Sequence, residues 1–175
     1  EQSGQINAVG FHLYCRLLQT TVSLLRGEPV RVAPEVDLTF DFMEFALSVP
    51  KGRTCACFPM KYIESERVRL HSYRRLAMLT SEKELDSFAE ELRDRFGSIP
   101  PEAENLLMAT RIRIAASSLG LTSISVRNKL IYMEKDKRFL RRDDMLPALT
   151  PCLTPEQKLI GVYRVVQEFR KFASA

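Results

Sequence analysis

A chain of 175 residues with 45% apolar and 27% charged side chains is long enough for one sizeable hydrophobic core and has the balance of a globular domain. Its formal charge of +4, from 26 Lys and Arg against 22 Asp and Glu, permits an acidic partner without demanding one. No apolar run approaches the roughly 20 residues of a membrane span, which excludes a spanning helix, and nothing resembles a secretory leader.

A cytoplasmic location and no membrane partner are therefore expected. The chain opens at Glu1 without an initiator Met, which reads as a piece of a longer protein forming one domain over residues 1–175.

Along the chain, residues 5–26 carry Val9, Leu13, Leu17, Thr20 and Leu24 at near-helical intervals, with Gly27 as a stop. Residues 28–33 are linker-like between Pro29 and Pro34. Residues 36–42 alternate apolar and polar, the pattern of a half-buried strand. Residues 43–58 are hard to read: 45–49 could extend the sheet, Lys51-Gly52-Arg53 suggests a turn, and 54–58 a second strand. Cys55 and Cys57 share a face, but no further Cys or His completes a zinc set, and Cys15, Cys152, His12 and His71 show no ligand spacing. Buried thiols are the expectation, with no metal and no cofactor.

A helix is expected after Ser65, which is placed to cap it. Leu70, Tyr73, Leu76 and Ala77 would face inward, and Arg67, His71, Arg74 and Arg75 would share the outer face. Such a face can meet phosphates or carboxylates, or can be solvated and pair with the acidic sequence that follows. Residues 81–101 form the best marked helix. Ser81 and Glu84 have capping-box spacing, Leu85, Phe88, Ala89, Leu92 and Phe96 make an apolar stripe, and Gly97 and Pro100-Pro101 end it. Glu84, Ser87, Glu91 and Asp94 form an acidic ridge on its other side, with Arg95 at the border. A third helix, from about Pro101 to Leu119, presents Ala103, Leu106, Leu107, Thr110 and Ile114 to the core, stops at Gly120, and carries Arg111 and Arg113 where its dipole favours them.

Beyond Gly120 the period changes to two. Residues 122–126 and 130–134 alternate around a turn at Arg127-Asn128-Lys129, predicting a hairpin, with a third short strand near Phe139 and Leu140. Residues 127–142 hold seven Arg or Lys and two Asp or Glu, with Tyr132 and Phe139 interleaved. That strip can touch nucleic acid, or can protect an edge strand from pairing. Thr154, Pro155 and Gln157 start a last helix, with Leu159, Val162, Tyr163, Val166 and Phe169 as its apolar face. The order α-β-β-α-α-α-β-β-β-α predicts an α+β fold, helices packed on a small, mostly antiparallel sheet.

Catalytic chemistry is not in evidence. There is no phosphate-binding loop, no dinucleotide fingerprint and no Ser, His and Asp arrangement, and two histidines offer little general acid–base capacity. An interaction or regulatory module, not an enzyme, is expected, and the isolated chain should not hydrolyse ATP.

The segments E-Q-S-G-Q-I-N-A-V-G-F-H-L-Y, Y-I-E-S-E-R-V-R-L-H-S-Y-R-R-L-A and E-L-R-D-R-F-G-S-I-P-P-E-A-E-N-L-L resemble, in order, the C-terminal domain of the bacterial transcription-repair coupling factor family. The family usually passes from strand to the Y-I motif in fewer residues than the 43–58 segment provides. The resemblance implies a parent that is an ATP-driven translocase on double-stranded DNA, binding RNA polymerase and the excision-repair protein UvrA. It implies that this domain lacks ATPase motifs and docks on the parent's N-terminal UvrB-like module, masking its UvrA-binding surface. The family's contact residues map onto Glu91, Asp94 and Arg95. The alternative is a nucleic-acid-binding module using Arg67, Arg74 and Arg75 or the basic strip 127–142.

Overall fold

The computed structural model describes residues 36–46, 52, 54–151 and 153–173. The expected helix over 5–26, the linker after it, His12, Cys15 and Cys152, the strand extension beyond 46, and Lys51 and Arg53 of the expected turn lie outside the described residues.

The α+β order holds through the described chain. Strand β1 (Asp37–Phe40) is followed by the short β2 (Glu44–Phe45) and β3 (Cys55–Ala56). Helices α1 (Glu66–Met78), α2 (Glu82–Phe96) and α3 (Pro101–Ser118) come next. Strands β4 (Ser123–Arg127), β5 (Leu130–Lys135) and β6 (Arg138–Phe139) then lead to helix α4 (Pro155–Ala173). The main sheet has the order β1-β4-β5-β6. Its β4–β5 and β5–β6 pairs are antiparallel. The β1–β4 pair is parallel, with Leu38 opposite Ile124 and Phe40 opposite Val126. The three intervening helices form the long crossover that a parallel pair needs. Within the hard-to-read 43–58 segment, β2 and β3 make a separate two-stranded parallel ladder.

The sheet obeys its alternation. Val36, Leu38, Phe40, Ile124, Val126, Ile131 and Met133 are buried in the common core. Each hairpin turn places two consecutive non-glycine residues at positive φ, Asn128 and Lys129 at 49° and 69°, Asp136 and Lys137 at 50° and 61°. This is the twist-matching two-residue form, and Asn128 and Asp136 are side-chain types that tolerate it.

Both capping boxes form. Ser81 Oγ accepts from Glu84 N–H at 3.3 Å while Glu84 Oε2 accepts from Ser81 N–H at 3.1 Å. Thr154 and Gln157 do the same at 3.3 and 3.0 Å. Gly97 ends α2 at φ 83°, ψ −158°. That is not the left-handed helical conformation common at helix ends but an extended region that essentially only glycine reaches. Gly161, inside α4, permits a close approach: a Cβ there would lie 2.8 Å from Leu149 Cδ2.

Three inward assignments change. On α1, Leu70 is half-buried and Ser72 takes the core position, its hydroxyl satisfied by donating to Val68 O at 3.0 Å. Helix α3 buries far more than one stripe. Besides the expected Ala103, Leu106, Leu107, Thr110 and Ile114 it buries Ala109, Ile112, Ala115 and Ala116, because α2, α4, β1 and β3 pack on it. Arg113 does not serve its own helix end. It is 5% exposed and donates to Leu76 O at 3.3 Å and Leu79 O at 2.7 Å. It thus caps α1 from the side, a charge-assisted way of satisfying terminal carbonyls.

Candidate functional site: the outer face of α1 and α2

Each of the two helices turns one face to the core and one to solvent, and their outer faces meet. Leu85, Phe88, Ala89 and Leu92 bury α2, leaving Glu91 half-exposed and Asp94 and Arg95 exposed. Tyr73, Leu76 and Ala77 bury α1, leaving Arg67 and His71 exposed and Arg74 and Arg75 half-exposed. The acidic ridge and the arginine face, read separately in the sequence, join at one carboxylate. Arg75 donates from both Nη atoms to the two oxygens of Glu91 at 2.7 Å each, and Arg95 Nη1 reaches Oε1 at 3.0 Å.

Aromatic rings set the guanidiniums in place. That of Arg75 lies 5.0 Å from the Phe88 ring centre, and that of Arg95 lies 5.0 Å from Phe96. Phe96 is held edge-on by Tyr62 at 5.8 Å, whose hydroxyl donates to Leu92 O at 3.1 Å and Gly97 O at 3.3 Å. The Y-I segment therefore clamps the end of the helix that carries Glu91, Asp94 and Arg95.

The electrostatics follow from this geometry. The paired hydrogen bonds from Arg75, helped by Arg95, hold the Glu91 carboxyl at a pKa of about 2. His71 is shifted down, first by desolvation and then by repulsion from Arg75, Arg74 and Arg95. Asp94, Arg67 and Arg74 have no ion pair among the described residues. The surface is a carboxylate clamped by two arginines, with one unengaged carboxylate one turn along.

A pH dependence results. The folded Glu91 pKa lies below the ordinary value of 4.5, so its contribution is complete above about 4.5 and disappears as pH falls towards about 2. The urea midpoint should drop more between pH 5.5 and 3 for the wild type than for Glu91→Gln; parallel profiles would show that the pair adds nothing to stability.

A second junction escaped the sequence reading. Glu82 accepts from Tyr163 Oη at 2.7 Å, Arg111 Nη1 at 3.1 Å and Gln167 Nε2 at 3.2 Å, and Arg111 also pairs with Asp86. It ties α2, α3 and α4 together. The only local signal was Tyr163 and Gln167 one turn apart beside an apolar stripe.

The other candidates read differently. Cys55 and Cys57 are buried with their Sγ atoms 3.6 Å apart, and burial pushes both thiols up, so they stay protonated. No group of three or more His, Cys, Asp or Glu that could hold a metal ion occurs among the described residues. In the basic strip, Arg142 pairs with Glu168 at 3.1 Å and Arg141 donates to Asp144 O at 2.9 Å. No described helix is long and apolar enough to cross a membrane.

The fold and this surface define an α+β domain whose Glu91, Asp94 and Arg95 lie on an outer helix face instead of converging in a cleft. The family model of the TRCF domain matches residues 53–141. The chain is 37% identical over 134 residues to the transcription-repair-coupling factor of Haemophilus influenzae, covering 77% of this chain and 11% of that protein. It is 35% identical over 129 residues to the factor of Escherichia coli K12, covering 74% and 11%, and 34% over 138 residues to that of Mycobacterium tuberculosis, covering 71% and 10%. It thus spans about a tenth of the length of these relatives. Its fold is similar to the crystal structure of the C-terminal domain of transcription-repair coupling factor, with a TM-score of 0.60 and 14% identity, covering 82% of this chain and 98% of that one. The chain belongs to the transcription-repair coupling factor family and corresponds to its C-terminal domain.

Proposed function

We propose that this domain is a non-catalytic, autoinhibitory docking module of a DNA translocase that couples transcription to excision repair. It latches onto the N-terminal UvrB-like module of its own parent chain and masks the surface that UvrA would bind. The parent would engage RNA polymerase and double-stranded DNA, and the protein would act in the cytoplasm. The observation that carries this reading is the prearranged group Glu91, Asp94 and Arg95 on a helix end fixed by Tyr62 and Phe96. Fixed side chains cost less to order on binding, and a modest ionic interface can release without unfolding either partner.

The latch works by exchange of partners. Glu91 already holds Arg75 and Arg95, so a basic group on the docked module competes with guanidiniums in cis. Undocking then returns the carboxylate to a ready partner instead of leaving it bare. Arg75→Gln should accordingly tighten docking about fivefold, the equivalent of about 1 kcal/mol for a partly exposed pair. Weaker docking of that variant would mean that Arg75 is itself a contact or a support, and would sink the exchange.

The test of the docking reading is calorimetric titration of this chain into the separately expressed UvrB-like module, with UvrA added as competitor. Saturable binding that UvrA displaces supports masking. Binding that UvrA leaves intact removes the autoinhibitory role, and no binding at high concentration removes the latch.

A further inference from the structure

On its second face the main sheet carries half-buried and exposed side chains. In β1, β4 and β5 every other residue enters the core, which leaves Thr39, Ser125 and Tyr132 in one row across the sheet, by their register, with Arg127 at one end of the face. Phe139 follows on β6, opposite Glu134. Its ring meets Tyr132 edge to face at 5.5 Å, yet it remains 48% exposed. Lys137, in the β5–β6 turn, lies at one end of the pair and Arg127 and Lys129 at the other, and none of the three has a carboxylate partner among the described residues.

We propose that this face binds single-stranded RNA. Edge protection accounts for charge on β6 but not for a phenylalanine left exposed beside it, which works against protection. A partly exposed pair of aromatic rings on a sheet face, with cations at both ends, offers bases a stacking surface and phosphates a track. A duplex keeps its bases stacked on one another and cannot use such rings. The hydroxyls of Thr39 and Ser125, in the row that ends at Tyr132, can exchange hydrogen bonds with ribose 2′-OH groups, which deoxyribose lacks. Acidic groups are also on this face. Glu134, opposite Phe139, accepts from Ser123 Oγ at 3.0 Å, within a strip, 127–142, of seven Arg or Lys against two Asp or Glu. Asp37 lies on the far strand, two residues from Thr39 and about 14 Å from β6 at the usual strand spacing.

This inference goes beyond docking and uses different residues, so either can fail alone. The probes are fluorescein-labelled 12-mers of uridylate and thymidylate and a 12-base-pair DNA duplex, followed by anisotropy at low salt. The uridylate strand should bind tightest. Phe139→Ala, at an exposed edge position, should weaken it about tenfold. Arg127→Glu with Lys137→Glu should weaken it and flatten its dependence on salt. Asp94→Arg should leave its affinity undiminished. Thermal midpoints of each variant establish that the fold is intact. Absence of uridylate binding, equal or tighter binding of thymidylate or duplex, or an unaffected Phe139→Ala variant would overturn the proposal.

Discussion

Reversal of Glu91 and Asp94 to arginine together is expected to weaken docking on the UvrB-like module about a hundredfold or more. Two attractive charges become repulsive at the centre of the proposed contact, and removing even one partner of a close interfacial pair commonly costs 2 kcal/mol or more. The double change also acts within the domain. An arginine at position 91 would sit where Arg75 and Arg95 now converge, turning an ion-pair cluster into three like charges. These groups are partly exposed, so the loss of stability should stay near 1 kcal/mol. Asp94→Arg alone separates the two effects, because Asp94 makes no ion pair among the described residues. That variant should keep the wild-type thermal midpoint and lose about tenfold in docking affinity by titration calorimetry. Full affinity in both variants would place the contact elsewhere.

Ile112→Ala should be the most destabilising single change considered, at about 4 kcal/mol and with a fall of about 10 °C in thermal midpoint for a chain of this size. Ile112 is fully buried on α3, between elements that cannot all collapse into the space vacated. Glu104→Ala, on the exposed strip of the same helix, is the control and should shift the midpoint by only a degree or two. Scanning calorimetry decides: a loss below about 1 kcal/mol for Ile112→Ala would mean that α3 is not the centre of the core.

What the sequence made legible was whatever is decided within one turn or one strand. Ser81 with Glu84 and Thr154 with Gln157 announce their helices because each cap is a contact between near neighbours. The strands from Asp37 and Ser123 announce their buried faces by alternation. The outward placing of Asp94 and Arg95 is likewise a matter of single-helix geometry. What was not legible depends on separate segments meeting. The parallel pairing of β1 with β4 depends on three helices folding between them. Burial of Arg113 depends on the carbonyls of Leu76 and Leu79 arriving beside it. The union of Glu91 with Arg75 joins two faces that helical periodicity can describe only one at a time. The residues proposed for docking, Glu91, Asp94 and Arg95, could therefore be marked by motif, while the arginine that occupies Glu91 required the tertiary structure.

Between its first and last turns helix α3 meets water only along a narrow strip through Glu104, Met108 and Arg111, and even there Arg111 is engaged by Glu82 and Asp86. A rod gripped on nearly every side has no free axis about which to roll and no slack along which to slide, since interiors are packed too densely to deform smoothly. A push on α2 is passed on through α3 to α4 and the sheet, so the described body tips or departs as one piece. If the domain docks as proposed, signals that free it have to arrive at the docking surface itself, as a rival for the same carboxylates or as a pull on the whole domain, and not as a rearrangement sent through its interior.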